Sequence, residues 1–289
     1  MTLCETFKQR ASSTWNLISK GRKIKYQFLE ETLTEINLFE LKQKYPYDVI
    51  TKTFTKPEEG NIGADWEWWL TGRSKLWLGF RVQAKVINVE SNEYKHLHYS
   101  KKNDYGGKDY QCDRLINSAL NHGLDNKPKP LIPLYCLYSN WSGEKIPFAW
   151  PYKTWKRNVR SYGCAIVSAF TVKYLRFKKE SKDIKSLLPY MRPWQILVCG
   201  GDYSKGDLPQ RALSFWKDDV KVSDDQMLGQ LRSGLREDII GGQSNIMGLY
   251  NTIELMETPP GYVQRMLEGL PVQAPDELVN RITIIREPA

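Results

Sequence analysis

The chain has 289 residues, with 42 Lys plus Arg against 33 Asp plus Glu and a formal net charge of +9. That length fits one large domain or two small ones with a sizeable core, and the basic excess suits a polyanionic partner. No run approaches bilayer length, MTLCETFKQRASS has no apolar signal core, and neither a Walker phosphate loop nor a dinucleotide glycine fingerprint is present, so a cytoplasmic protein without its own ATP chemistry is expected.

Residues 24–43, IKYQFLEETLTEINLFELKQ, have helical periodicity with Leu29, Leu33, Ile36 and Glu40 on one side. YDVITKTF then reads as a strand. GADWEWWL, TGRSK and LWLGFRVQAKVI predict a β-hairpin, two aromatic and β-branched runs around a Gly-containing turn near Ser74. This turn sets Asp65 opposite Gln83 and Glu67 opposite Arg81, with Lys85 just beyond on the same face, because strand side chains alternate with period two. Trp66, Trp68 and Leu70 share the other, core-facing side with Phe80, Val82, Ala84 and Val86. Such alternation also describes an ordinary hairpin with one solvated face.

YQCDRLINSALNHG predicts a helix with Leu115, Ile116, Ala119 and Leu120 at core spacing, His122 capping its end and Gly123 stopping it. LIPLYCLYSN is a nearly continuous apolar strand, as when both faces are covered. The order is helix, strand, strand, strand, helix, strand, and the second helix is the crossover that a parallel pair requires. Further on, GCAIVSAFTVKYL reads as mainly helical and PWQILVCG as a strand extending the same sheet. Gly200, Gly201, Gly206 and Pro209 mark a loop. From Val222 the chain looks helical and mildly acidic, and it ends in RITIIRE, an edge strand. The expected division is an α/β domain over 1–215 and a mainly helical C-terminal extension over 216–289.

Five cysteines, Cys4, Cys112, Cys136, Cys164 and Cys199, are widely spaced and form no zinc or redox motif, so reduced, core-filling thiols are expected. His96 and His98 lack a nearby third ligand and read as a polar loop.

The hairpin's polar face carries the chemistry. A hard cation such as Mg²⁺, with Mn²⁺ as a substitute, takes one or two carboxylates plus water and substrate phosphate. Asp65 would anchor it and Gln83 would add a carbonyl oxygen. Lys85 would orient a metal-bound water and stabilise charge on the phosphate, with Glu67 on the same catalytic face. The reaction would be phosphodiester hydrolysis.

Asp65 followed by Gln83-x-Lys85 resembles the PD-(D/E)xK nuclease superfamily, in particular its Mrr-like branch, where Gln replaces the second acid and the strand often reads QAK. EETLTE, EEGNIGADWEWW and RVQAK look like a bacterial family of otherwise uncharacterised proteins with a GADWEWW motif. The superfamily resemblance covers residues 24–140. Ala64 stands where a Pro usually precedes the motif Asp, a departure common in the superfamily. The resemblance implies a restriction-endonuclease-like core, αβββαβ with a mixed central sheet flanked by helices. It also implies a Mg²⁺-dependent DNA endonuclease acting in defence against phage or foreign DNA. An upstream acid comes from the first helix in this branch. Helix geometry singles out neither candidate, and the EET element favours Glu31, then Glu30. Glu59 matches the family element before Asp65, whereas Glu58 reads as a solvated turn residue.

Between Pro151 and Tyr190 ten Lys or Arg face two acids. Within WPYKTWKRNVR, Lys153, Lys156, Arg157 and Arg160 are the predicted phosphate contacts, which confer affinity without sequence preference. The rival reading is a catalytically inactive nuclease-fold module that binds nucleic acid or regulates; Gln83 points towards it and Lys85 away. A subunit silent until a sensor or helicase partner delivers DNA, RNA as substrate, and a homodimer cutting both strands also stay open.

Overall fold

The computed structural model describes residues 1–54, 64–103, 106–122, 129–141, 158–179, 181–199, 206–221, 224–225, 248–272 and 279–288. Helix α1 (Leu3–Lys23) opens the chain. Its start is a capping box: the Glu5 amide donates to Thr2 Oγ1 and the Thr2 amide donates to the Glu5 carboxylate. Helix α2 spans Glu30–Lys44, beginning later than predicted. Leu29 is its exposed N-cap, and the buried side is Leu33, Thr34, Asn37, Leu38 and Leu41 instead of the stripe through Leu29, Ile36 and Glu40. Apolar spacing misled because a polar residue occupies the buried face. Asn37 Nδ2 donates to Thr14 Oγ1 and to the Leu33 carbonyl, which removes the penalty of burying it.

Next come β1 (Val49–Thr53), β2 (Trp66–Thr71), β3 (Trp77–Val86), β4 (Ser100–Lys102), β5 (Lys108–Tyr110), α3 (Gln111–Leu120) and β6 (Ile132–Tyr138). They are followed by β7 (Cys164–Ser168), α4 (Ala169–Lys179), α5 (Ile184–Leu187), β8 (Arg192–Pro193), α6 (Ile196–Cys199), α7 (Leu208–Phe215), α8 (Gly261–Leu267) and β9 (Arg281–Arg286). Among the described residues a seven-stranded mixed sheet runs β1-β9-β2-β3-β6-β7-β8, and β4 pairs with β5 apart from it. β2 and β3 are antiparallel, and β3 and β6 are parallel with α3 between them in sequence, as predicted. Helices flank the sheet. On one side Phe7 of α1 meets Trp68 and Trp194, with ring centroids 6.5 and 4.6 Å apart. On the other, α3 reaches β3 through the Ser118 carbonyl and the Gln111 amide.

Four expectations are corrected. GCAIVSAFTVKYL is only half helical: Cys164–Ser168 pairs with β6, whose free edge selects a strand over local helix preference. PWQILVCG gives the two-residue β8 and the short α6, because the Trp194 indole N–H donates to the Phe7 carbonyl and its ring packs on Phe7 and Trp68, turning the chain inwards. RITIIR is no edge strand. It lies between β1 and β2 with Ile282, Thr283, Ile284 and Ile285 buried, the continuous burial of a strand covered on both faces. Finally, Cys4 and Cys199 form a disulfide, while Cys112, Cys136 and Cys164 are buried thiols.

The β2–β3 hairpin has the predicted register, with Glu67 opposite Arg81 and Trp68 opposite Phe80. Gly79 faces Trp69, and a Cβ there would sit 2.8 Å from that indole and 2.6 Å from Leu131, so only glycine lets the strands close. The hairpin's polar face is not solvated: Glu67, Arg81, Gln83 and Lys85 are 0%, 3%, 2% and 5% exposed. Among the described residues no helix is long and apolar enough to cross a membrane.

Candidate active site

The antiparallel ladder continues past β2, where the Asp65 amide donates to the Val82 carbonyl, so Asp65 meets the C-terminal half of β3. Its Oδ2 accepts from Gln83 Nε2 and from the Ala84 amide, each at 2.7 Å. The pairing of Asp65 with Gln83 is thus a consequence of register. Lys85, two residues along β3 on the same face, places Nζ 3.7 Å from Glu30 Oε2 in the first turn of α2.

The electrostatics are those of two half-buried acids beside one buried ammonium. Burial raises the Asp65 pKa to about 6, with Glu30 adding to the rise, while Lys85 and the bonds from Ala84 and Gln83 hold it back. Burial also raises Glu30, against the pull of Lys85 and the Val86 amide. A cation between these carboxylates would relieve both.

The donor set can be tested against a hard cation. Asp65 Oδ1 takes no hydrogen bond among the described residues, and Glu30 supplies a second carboxylate. Gln83 turns its nitrogen to Asp65, and its Oε1 accepts from Gln111 Nε2 at 2.9 Å, so in this orientation it positions Asp65 and offers no oxygen beside it. Among the described residues no group of three or more His, Cys, Asp or Glu gathers to hold a metal. The arrangement fits a largely hydrated ion on one or two carboxylates, completed by substrate, and not a fully caged one.

The other sequence candidates fall elsewhere. Glu67 shares the face but both its oxygens are engaged by other partners. Its Oε1 accepts from Arg81 Nε at 3.0 Å, and its Oε2 from Trp69 Nε1 at 3.1 Å and the Tyr262 hydroxyl at 2.6 Å. Burial works to raise its pKa, but Arg81, His122 and these hydrogen bonds outweigh it and hold the carboxyl below its ordinary value. His122 does not cap α3: its Nε2 lies 2.9 Å from the Tyr262 hydroxyl, so it belongs to this network. Glu31 lines a cavity next to Glu30. Arg160 sits exposed in the turn Val159–Gly163, with its amide on Asn158 Oδ1. Glu58, Glu59, Lys153, Lys156 and Arg157 lie outside the described residues.

Sequence reasoning missed Gln111, which carries no motif and reaches Gln83 because it begins α3 beneath the hairpin. It also missed a basic arm. In β4 and β5 Lys102 and Lys108 are exposed and directly paired across the strands, Lys108 standing three residues before Gln111.

Fold and geometry thus define a mixed α/β protein with a buried cluster of acids, amides and an ammonium at one end of its central hairpin. The chain belongs to the Family of unknown function (DUF6615), whose model matches residues 3–289. No curated protein and no solved structure matches it.

Proposed function

We propose that this protein is a metal-dependent DNA endonuclease with the restriction-endonuclease-like core implied by its motif. The observation that carries the reading is the convergence of half-buried Asp65 and Glu30 on the buried Lys85, from three neighbouring segments of the chain. The order α2, β1, β2, β3, α3, β6 supports it, with β9 inserted between β1 and β2.

Asp65 and Glu30 would hold Mg²⁺ or Mn²⁺, and Gln83 with the Ala84 amide would fix the Asp65 carboxylate. A divalent ion there supplies Lewis acidity and lowers the pKa of a bound water. Lys85 is positioned to orient the attacking water and stabilise the phosphate's developing negative charge. The exposed β4–β5 lysines and Arg160 are the candidate phosphate contacts among the described residues. A role in defence is implied by the motif resemblance alone.

The second reading, a nucleic-acid-binding or regulatory module without chemistry, is favoured by one observation: Gln83 presents its nitrogen, not its oxygen, to Asp65. Incubation of supercoiled plasmid with Mg²⁺ or Mn²⁺ separates the two. Nicking that disappears with chelator and in Asp65→Ala supports the nuclease. Equal cleavage by Asp65→Ala contradicts it, and uncleaved DNA with salt-sensitive binding intact favours the binding module.

A further inference from the structure

We infer that the cavity beside Glu30 is the subsite for one unpaired nucleotide next to the scissile phosphate, so that the substrate is a single strand, a strand end or an extruded nucleotide in preference to an intact duplex. This rests on the nuclease reading and specifies its substrate. The cavity holds about 410 Å³, the scale of a small-molecule site and far short of a duplex. Glu30 belongs both to it and to the ion pair with Lys85, so the cavity adjoins the candidate site through this one side chain. A base can enter such a space only when it is unpaired and unstacked.

The walls have the matching chemistry. Phe28, Leu29 and Val86 supply ring and aliphatic surface, and the exposed Lys95 and His96 complete the lining with polar groups. The chain leading into the Phe28 wall, Arg22-Lys23-Ile24-Lys25-Tyr26, exposes Lys23, Lys25 and Tyr26, and the Tyr26 ring stands edge-on to Phe28 at 4.9 Å. Aromatic rings interleaved with cations are what a single strand recognises: bases stack, and phosphates meet ammonium groups.

Both walls are held in place before any ligand arrives. Gln27 ties the segment before Phe28 to the chain following Val86, donating to the Ile87 carbonyl at 3.2 Å and accepting from the Val89 amide at 3.0 Å. Lys95 and His96 project between two fully buried anchors, Tyr94 and Leu97, and the Tyr94 hydroxyl meets Ser139 Oγ at 2.5 Å. Neither Lys95 nor His96 spends its side chain on a hydrogen bond or ion pair among the described residues. Rigid support beneath two uncommitted polar groups is the design of a binding rim.

The test is binding of a fluorescein-labelled 12-mer of oligo-dT and of a blunt 12-base-pair duplex to the full chain with chelator present, so that nothing is cut. The single strand should bind about tenfold more tightly. Tyr26→Ala, Phe28→Leu and Lys95→Ala should each weaken it about fivefold and leave duplex binding as it was. Tyr26 and Lys95 are exposed, so those two variants keep the assay independent of folding. Preference for the duplex, or single-strand binding indifferent to all three changes, overturns the pocket assignment while a metal-dependent nicking activity would still stand. Absence of binding to either probe overturns the pocket assignment, and the nuclease reading falls separately if plasmid also stays uncut with Mg²⁺ or Mn²⁺.

Discussion

Lys85 Nζ lies 3.7 Å from Glu30 Oε2, tying the end of β3 to the first turn of α2. Adjacent residues on a helix point about 100° apart, so Glu30 and Glu31 cannot both serve this ammonium equally. Glu30→Gln should lower single-turnover cleavage about 10- to 100-fold, and Glu31→Gln should lower it much less. Rates on one labelled substrate under identical Mg²⁺ decide between them.

The Glu67–Arg81 pair is 0% and 3% exposed. Replacing one partner strands the other charge in the core. Arg81→Met should therefore cost about 3–5 kcal/mol, seen as a lower midpoint in urea unfolding. Little change would show that Glu67 finds enough compensation from Trp69 and Tyr262 alone.

Asp224 accepts from Ser168 Oγ at 2.6 Å and the Tyr250 hydroxyl at 2.5 Å in a fully buried site, and burial raises its pKa to about 7. In the unfolded chain an aspartate ionises near 3.9. Between these values the folded state keeps a proton that the unfolded state has lost, so this contribution to stability is complete below about pH 4 and falls as pH rises towards and past 7. The loss is roughly 4 kcal/mol. Relative to Asp224→Asn, the parent should lose stability from about pH 4 to 7 and level off above that; a constant difference would contradict the assignment.

Lys102 and Lys108 face each other directly, an arrangement that costs stability unless an anion lies between them. If they contact DNA phosphates, each Lys→Ala change should reduce the slope of log affinity against log salt by about one. A titration series between low and moderate salt reads this. An unchanged slope would remove the β4–β5 arm from the DNA path.

The hairpin was legible because its signals are local: alternation and one turn near Ser74 put Asp65 at Gln83 and Glu67 at Arg81. The crossover through α3 was legible for the same reason, a short helix between two apolar runs. What escaped depends on partners distant in sequence. β9 enters between β1 and β2 from the far end of the chain, and Cys4 bonds Cys199 across 195 residues. The rotation of α2 escaped too, since only the hydrogen bonds of Asn37 to Thr14 and Leu33 reveal that this polar residue shares the buried side with Leu33, Leu38 and Leu41. Alternation equally failed to show that α3 and α8 cover the hairpin's polar face, turning Glu67 into a structural ion pair and enclosing Gln83.

Lys85→Ala, measured for single-turnover DNA cleavage at saturating Mn²⁺, tests the central claim most directly. With the carboxylates of Asp65 and Glu30 retained, the ion can still be loaded, so the variant isolates the ammonium's part in the chemistry. Cleavage should fall at least about 100-fold, the scale of losing a positioned charge-stabilising group. A rate equal to that of the unaltered protein would contradict the assignment of Lys85, and with it the site.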